Sequence, residues 1–180
     1  MKVGIAGAGG LGSNIAMHLV RAGVTDIVIA DFDRIEESNL NRQFYFRDQI
    51  GMKKTDAITV NLKRIDPGSN ITAVDIRLDG DNIAEVFAEC PIVAEAFDKA
   101  DCKAMLLNAL GGTGKKIVAA SGVAGLYTDG IRTRRIGENI KIIGDFVSEN
   151  TRKPLYSAKV GTAAAIMAGI ILEWMGYTDE

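Results

Sequence analysis

Residues 7–12 read Gly-Ala-Gly-Gly-Leu-Gly, placed directly after the strand-like run Lys2–Ala6 and before a helical pattern with Leu11, Ile15 and Leu19 on one face. A second apolar run, Ile27-Val28-Ile29-Ala30, ends on Asp31. Strand, glycine turn, helix, strand and acid is the order of a dinucleotide-binding βαβ unit. Gly7 allows the tight turn, Gly9 lets backbone amides approach a phosphate, and Gly12 lets the helix pack on the strand. The helix start offers unpaired N–H groups and a positive dipole end to an anion. The candidate nucleotide-binding residues of this unit are therefore Gly7, Gly9, Gly10 and Gly12, with Asp31 placed to accept hydrogen bonds from ribose hydroxyls.

The pattern that follows extends the unit. Helical spacing runs from Lys53 to Ile65 and stops at Pro67-Gly68, and Ile71–Ile76 alternates as a strand. Asp79-Gly80-Asp81 offers a cap to a helix carrying Ile83, Val86 and Phe87. Ile92–Ala96 reads as a buried strand, Lys99–Leu110 as a helix and Ile117–Ala120 as a strand. Strands alternating with helices predict an α/β, Rossmann-like, mostly parallel sheet with helices on both faces. Asp31, Asp98 and Ser121 would share its carboxyl edge, where ligands of such sheets sit. From Leu126 the pattern changes: Tyr127–Arg135 and Ile140–Ile143 read as an antiparallel extension, Ser148–Lys159 as a loop. Gly161 to Met175 reads as a helix with Ile166, Ile170 and Trp174 on one stripe. Residues 1–180 fit one domain.

Composition narrows the function. Hydrophobic residues make up 47% of 180 and the net charge is −2, so no basic surplus draws nucleic acid. The basic groups Arg132, Arg134, Arg135 and Lys115-Lys116 read as solvated faces. The longest uncharged run, Val160 to Leu172, is shorter than the roughly 20 residues that span a bilayer. Met1 leads straight into the first strand, and Cys90 and Cys102 form no metal-type pair, so the expectation is a cytoplasmic protein. Gly111–Lys116 is not a P-loop: Ala109 stands where its first glycine belongs and Lys116 where its Ser/Thr belongs.

The segment that chooses the chemistry is Asp31-Phe32-Asp33-Arg34-Ile35-Glu36-Glu37-Ser38-Asn39-Leu40-Asn41-Arg42-Gln43. A nicotinamide site proceeds quickly from its acid to a third strand. Here a long polar loop supplies amides and Arg42, and Lys54 follows Gly51-Met52-Lys53. A planar guanidinium fork with a mobile ammonium suits a triphosphate. The one histidine, His18, lies in the first helix and reads as an ordinary helix residue.

At these residues the chain resembles the ThiF/MoeB family, adenylating enzymes related to ubiquitin-activating enzyme. The resemblance rests on GAGGLG, DFDRIEESNLNRQF, the lysine of GMKK and Asp98, and runs to about Gly125. Gly144-Asp145-Phe146-Val147 and the short length look most like the thiamine-biosynthesis ThiF branch. The resemblance implies ATP on the glycine turn, ribose on Asp31, phosphates on Asn39, Arg42 and Lys54, further nucleotide-binding positions at Ser38 and at Asp33 (which could instead cap the loop), and Mg²⁺ organised by Asp98. It implies catalytic roles for Arg42, Lys54 and Asp98. It also implies a homodimer and a partner, a small ubiquitin-like sulfur carrier whose C-terminal Gly-Gly carboxylate attacks the α-phosphorus. That carboxylate is ionised at pH 7 and needs no general base.

Four departures accompany it. The CxxC pairs that hold zinc in many members are absent, so no structural zinc is expected. Gly122–Val160 carries no cysteine for an acyl-disulfide, which implies a separate sulfur donor. The upstream segment whose arginine reaches the partner's ATP does not precede the first strand, so another arginine substitutes or activity is reduced. Lys99 stands where an asparagine is common. The competing readings are a non-catalytic nucleotide-binding scaffold of this fold and an NAD-dependent oxidoreductase.

Overall fold

The computed structural model describes residues 1–149 and 152–178. From its start the chain runs β1 (Val3–Ala6), α1 (Gly10–Arg21), β2 (Asp26–Asp31), α2 (Lys54–Ile65), β3 (Asn70–Asp75) and a short α3 (Ile83–Val86). It continues through β4 (Ile92–Glu95), α4 (Ala100–Leu110), β5 (Lys116–Ala120), β6 (Arg132–Ile136), β7 (Ile140–Gly144) and α5 (Ser157–Met175). The strands of the described residues join in one sheet of order β3-β2-β1-β4-β5-β7-β6. All pairings are parallel except β6 with β7, so the antiparallel extension is the edge strand β6, and β7 itself runs parallel to β5.

Alternation in the central strands splits the interior into two cores. Val3 and Ile5 of β1 and Ile27 and Ile29 of β2 join α1, α2 and α5 on one face. Ala6, Val28 and Ala30 join α3 and α4 around Phe87, Leu106 and Leu110 on the other. Two-sided burial explains why these strands read as unbroken apolar runs. Because β1 lies between β2 and β4, the chain reverses direction across the sheet there, which opens a crevice at the carboxyl ends of β1 and β4.

Two glycines fix the entry to α1. Gly7 has φ +104°, and a Cβ there would stand 3.0 Å from the Ala96 carbonyl oxygen. A Cβ on Gly12 would lie 1.8 Å from the Gly7 carbonyl oxygen, so the helix seats against the turn only without a side chain.

The structure departs from the sequence expectations at four places. Of 127–135 only the last four residues pair as strand, in β6 (Arg132–Ile136). Asp79 accepts N–H groups of Asp81 and Asn82 at 3.0 Å each, but the helix it introduces is a single turn with no side-chain cap. α5 starts four residues early, at Ser157, because the Val160 N–H already closes on the Tyr156 carbonyl. Its buried line is Val160, Ala163, Ala164, Met167, Ile170 and Ile171, while Ile166 and Trp174 are half-buried beside it.

The earlier start also lengthens the apolar segment. At 19 residues α5 is long and apolar enough to cross a membrane by length and composition. In the fold it is a core helix packed on α1 and the sheet. Lys159, buried in its first turn, donates to the Ala124 carbonyl at 2.8 Å and to Asp145 Oδ2 at 2.6 Å.

Candidate nucleotide-binding site

The turn between β1 and α1 is held from below by Asp31 and Tyr45. Asp31 Oδ2 accepts the Ala8 N–H at 2.6 Å, and its Oδ1 accepts the Asp33 N–H at 2.8 Å. Two ligands leave a carboxylate further lone pairs for ribose hydroxyls. The buried Tyr45 hydroxyl donates to the Ala8 carbonyl at 2.7 Å. Burial, and then the negative Asp31 nearby, push its pKa well above the usual phenol value, so it stays a donor. Gly9, the N-cap of α1, has no side-chain acceptor, and no acid stands in the first turn. The positive helix end is thus left to an external anion.

The polar stretch after β2 is ordered by its own hydrogen bonds. Residues 33–36 run alongside 51–54: the Lys54 N–H meets the Asp33 carbonyl at 3.0 Å and the Ile35 N–H meets the Met52 carbonyl at 2.9 Å. This strap brings Lys54 Nζ to Asp33 Oδ2 at 2.9 Å. The lysine side chain is only 7% exposed and the Asp33 side chain 50%, so the ammonium sits at the inner wall rather than in solvent. Asn39 Oδ1 accepts the Glu36 N–H and closes a turn of 3₁₀ helix, Glu37–Asn39. Arg42 Nη1 then donates to the Ser38 carbonyl at 2.9 Å and to Asn41 Oδ1 at 2.8 Å. Asn14 of α1 anchors this segment by donating to the Arg42 carbonyl at 2.9 Å, and Ser13 Oγ accepts the Phe44 N–H at 3.0 Å.

These segments enclose a polar cleft of about 230 Å³ beside the glycine turn. Asp33, Asn39, Arg42, Lys54 and Asp98 all line it, together with Arg34, Glu36 and Gln43. A Cβ on Gly10 would stand 3.5 Å from Arg42 Cγ, and one on Gly9 would stand 3.9 Å from Gln43 Nε2, so cleft and glycine turn are continuous. Among the expected residues of the 32–54 stretch, Ser38 is the exception. It gives its carbonyl to Arg42 and does not line the cleft.

Asp98 is exposed at the start of the segment leading to α4. It does not hold the N-cap position of that helix, which falls to Lys99, whose side chain makes no capping bond. Three residues earlier, Glu95 has no exposed surface. Burial raises its pKa, against the opposing pull of Lys103, whose Nζ lies 3.0 Å from both carboxylate oxygens.

Whether the site suits a divalent cation is a question of its donors. Among the described residues no three His, Cys, Asp or Glu side chains group as a metal site. Three acids line the cleft, Asp33, Glu36 and Asp98, with Asp33 paired to Lys54; such a set fits Mg²⁺, which keeps its waters and arrives on phosphate oxygens with one or two carboxylates. The fit to a nucleotide rests on the acid-free α1 terminus, on Arg42 and Lys54, and on the buried Gln43 Oε1, which has no hydrogen-bond partner.

Tyr45, Asn14, Glu95 and Lys103 escape sequence reading. Each acts through a contact made across 8 to 37 positions of chain, and none stands at a diagnostic spacing.

The family model described as "ThiF family" matches residues 1–175. The adenylyltransferase and sulfurtransferase UBA4 of Candida glabrata is 37% identical over 123 residues, 68% of this chain and 28% of that protein. The sulfur carrier protein adenylyltransferase of Thermus thermophilus is 32% identical over 118 residues, 65% of this chain and 44% of that protein. The chain thus spans less than half the length of these curated relatives. The structure of Escherichia coli tRNA N6-threonylcarbamoyladenosine dehydratase, TcdA, in complex with ATP superposes with a TM-score of 0.85 at 19% identity. That match covers 97% of this chain and 86% of the other, and it shows a shared fold.

Proposed function

The chain belongs to the ThiF family, and from that premise we propose that it is an ATP-dependent adenylyltransferase of a small ubiquitin-like sulfur carrier. The observation that carries this reading is the meeting of Arg42, Lys54 and Asp98, from three separate stretches of chain, on one cleft beside an acid-free helix N-terminus.

In this reading the α1 amides and the glycine turn receive the phosphates, and Asp31 receives the ribose. Arg42 and Lys54 neutralise the charge that builds on the phosphate oxygens as the bond to the leaving group lengthens. Asp98 would hold Mg²⁺, which when bound polarises those oxygens as a Lewis acid. The carrier's terminal Gly-Gly carboxylate attacks the α-phosphorus in line. The bond between the α-phosphorus and the bridging oxygen breaks, and pyrophosphate leaves with the acyl-adenylate formed. Alignment supplies most of the rate, because the nucleophile is already an anion. No histidine is required.

The finer assignments are a thiamine-type carrier, the thiazole pathway and a homodimer, which the resemblance supports, a separate sulfur donor, which the lack of a cysteine in Gly122–Val160 supports, and a cytoplasmic location, which the cysteine usage supports.

Pyrophosphate exchange into ATP tests the reading, with a Gly-Gly-ended sulfur carrier and Mg²⁺ present. Exchange should require both, and Arg42→Ala should lower it by roughly 10²–10³-fold, the worth of one strong transition-state contact. ATP and carrier binding without exchange would make the chain a scaffold. Tighter binding of NADH than of ATP would make it an oxidoreductase.

A further inference from the structure

The turn between β4 and α4 contains an ion pair, its carboxylate fully buried and its ammonium partly so, that the nucleotide reading does not use. Glu95, the last residue of β4, accepts the Phe97 N–H at 2.7 Å and both of its oxygens meet Lys103 Nζ at 3.0 Å. One carboxylate therefore ties together the carboxyl end of β4, the backbone just before Asp98 and the first turn of α4.

A buried charge pair is a poor way to gain stability. Desolvation of both ions offsets their attraction, and an apolar pair of similar volume is commonly as stable or more so. The rest of β4 (Ile92, Val93, Ala94) is apolar, and so is the core on both its faces. What the charge adds is direction. It accepts a backbone amide on one side of Asp98 and holds a helix residue on the other, where the N-cap residue Lys99 makes no capping bond of its own. Neither Glu95 nor Lys103 lines the cleft.

We propose that Glu95 and Lys103 are the positioning pair of Asp98, a buried strut that fixes where this acid stands when a nucleotide and its divalent cation enter the cleft. The proposal rests on the reading of Asp98 as the acid on the cation side of the site.

Calorimetric titration of ATP, once with Mg²⁺ and once with EDTA, separates the two. The difference between the two affinities is the gain due to the metal. Asp98→Ala should abolish that gain. Glu95→Gln, and the neutral pair Glu95→Gln with Lys103→Met, should cut it by about 10-fold or more, the usual cost of losing support behind a metal ligand. Metal-free ATP affinity should stay at the wild-type value. Lys103→Arg keeps the cation and should preserve most of the gain. Glu95→Gln added to Asp98→Ala should cost nothing further, because both act through one group.

A role confined to stability would instead lower the melting temperature and weaken ATP equally with and without metal, which overturns the proposal. A folded neutral-pair variant with the wild-type gain also overturns it, while leaving Asp98 in place if Asp98→Ala loses the gain. If Asp98→Ala keeps the gain, the reading of Asp98 falls and the strut loses its function with it. Should Glu95→Gln alone fail to fold, the neutral pair leaves no uncompensated buried charge and supplies the same comparison.

Discussion

Arg42 and Lys54 reach the same cleft by different physical routes. The Arg42 stem passes Gly10 and its head is steadied by a carbonyl and an amide, which leaves a planar fork suited to paired phosphate oxygens. Lys54 is a point charge set deep in the wall beside Asp33. A second buried lysine, Lys159, serves the other half of the chain. Burial by itself would raise the pKa of its partner Asp145. Hydrogen bonds from Lys159, Ser148 and Val147 outweigh that and hold the carboxyl well below its ordinary range. A folded pKa below the unfolded one gives stability that is complete above the unfolded value near 3.8 and is lost as the pH falls below it. Asp145→Asn should therefore lower the melting temperature at pH 7 and flatten its decline on the acid side of that value. Parallel curves for wild type and variant across pH 2–7 would refute the assignment.

Among the elements, the first βαβ unit was open to reading because every residue that builds it acts locally. Gly7, Gly12 and the apolar runs on either side fix turn, helix and strand by short-range sterics. Gly12→Ala tests this. The added carbon meets backbone oxygen at 1.8 Å, which no rotamer change relieves. A loss of about 3 kcal/mol is expected, at the upper end of overpacking, with weaker ATP binding. Chemical denaturation measures it, and a loss under about 1 kcal/mol would show that the helix can slide away.

The same logic explains what the sequence concealed. The start of α5 was hidden because Ser157 to Val160 has no strong helix-start signature, and Lys159 looked like a loop charge until Asp145 and Ala124 closed on it. The polar stretch 32–48 showed its cations but not their placement. That depends on Asn14, Tyr45 and the strap between residues 33–36 and 51–54, all contacts between distant positions. Ser38 followed the motif and still fell outside the cleft, since its carbonyl rather than its hydroxyl serves Arg42.

For the whole molecule, the sheet reversal between β1 and β4 decides where a ligand can enter, and the two cores hold that edge rigid from both faces. Ligand binding to such an edge stabilises the entire domain by mass action. ATP at 100 times its dissociation constant should add about 2.7 kcal/mol. For a chain of this size that raises the melting temperature by roughly 5–10 °C. NADH at the same concentration should leave it unchanged, and an equal shift with NADH would reverse the choice of nucleotide. The most direct measurement is a crystal structure with a non-hydrolysable ATP analogue and Mg²⁺. The Arg42 guanidinium and the Lys54 ammonium should lie on phosphate oxygens, with Asp98 facing the metal. A nucleotide bound elsewhere, or bound here with both cations turned to solvent, would contradict it.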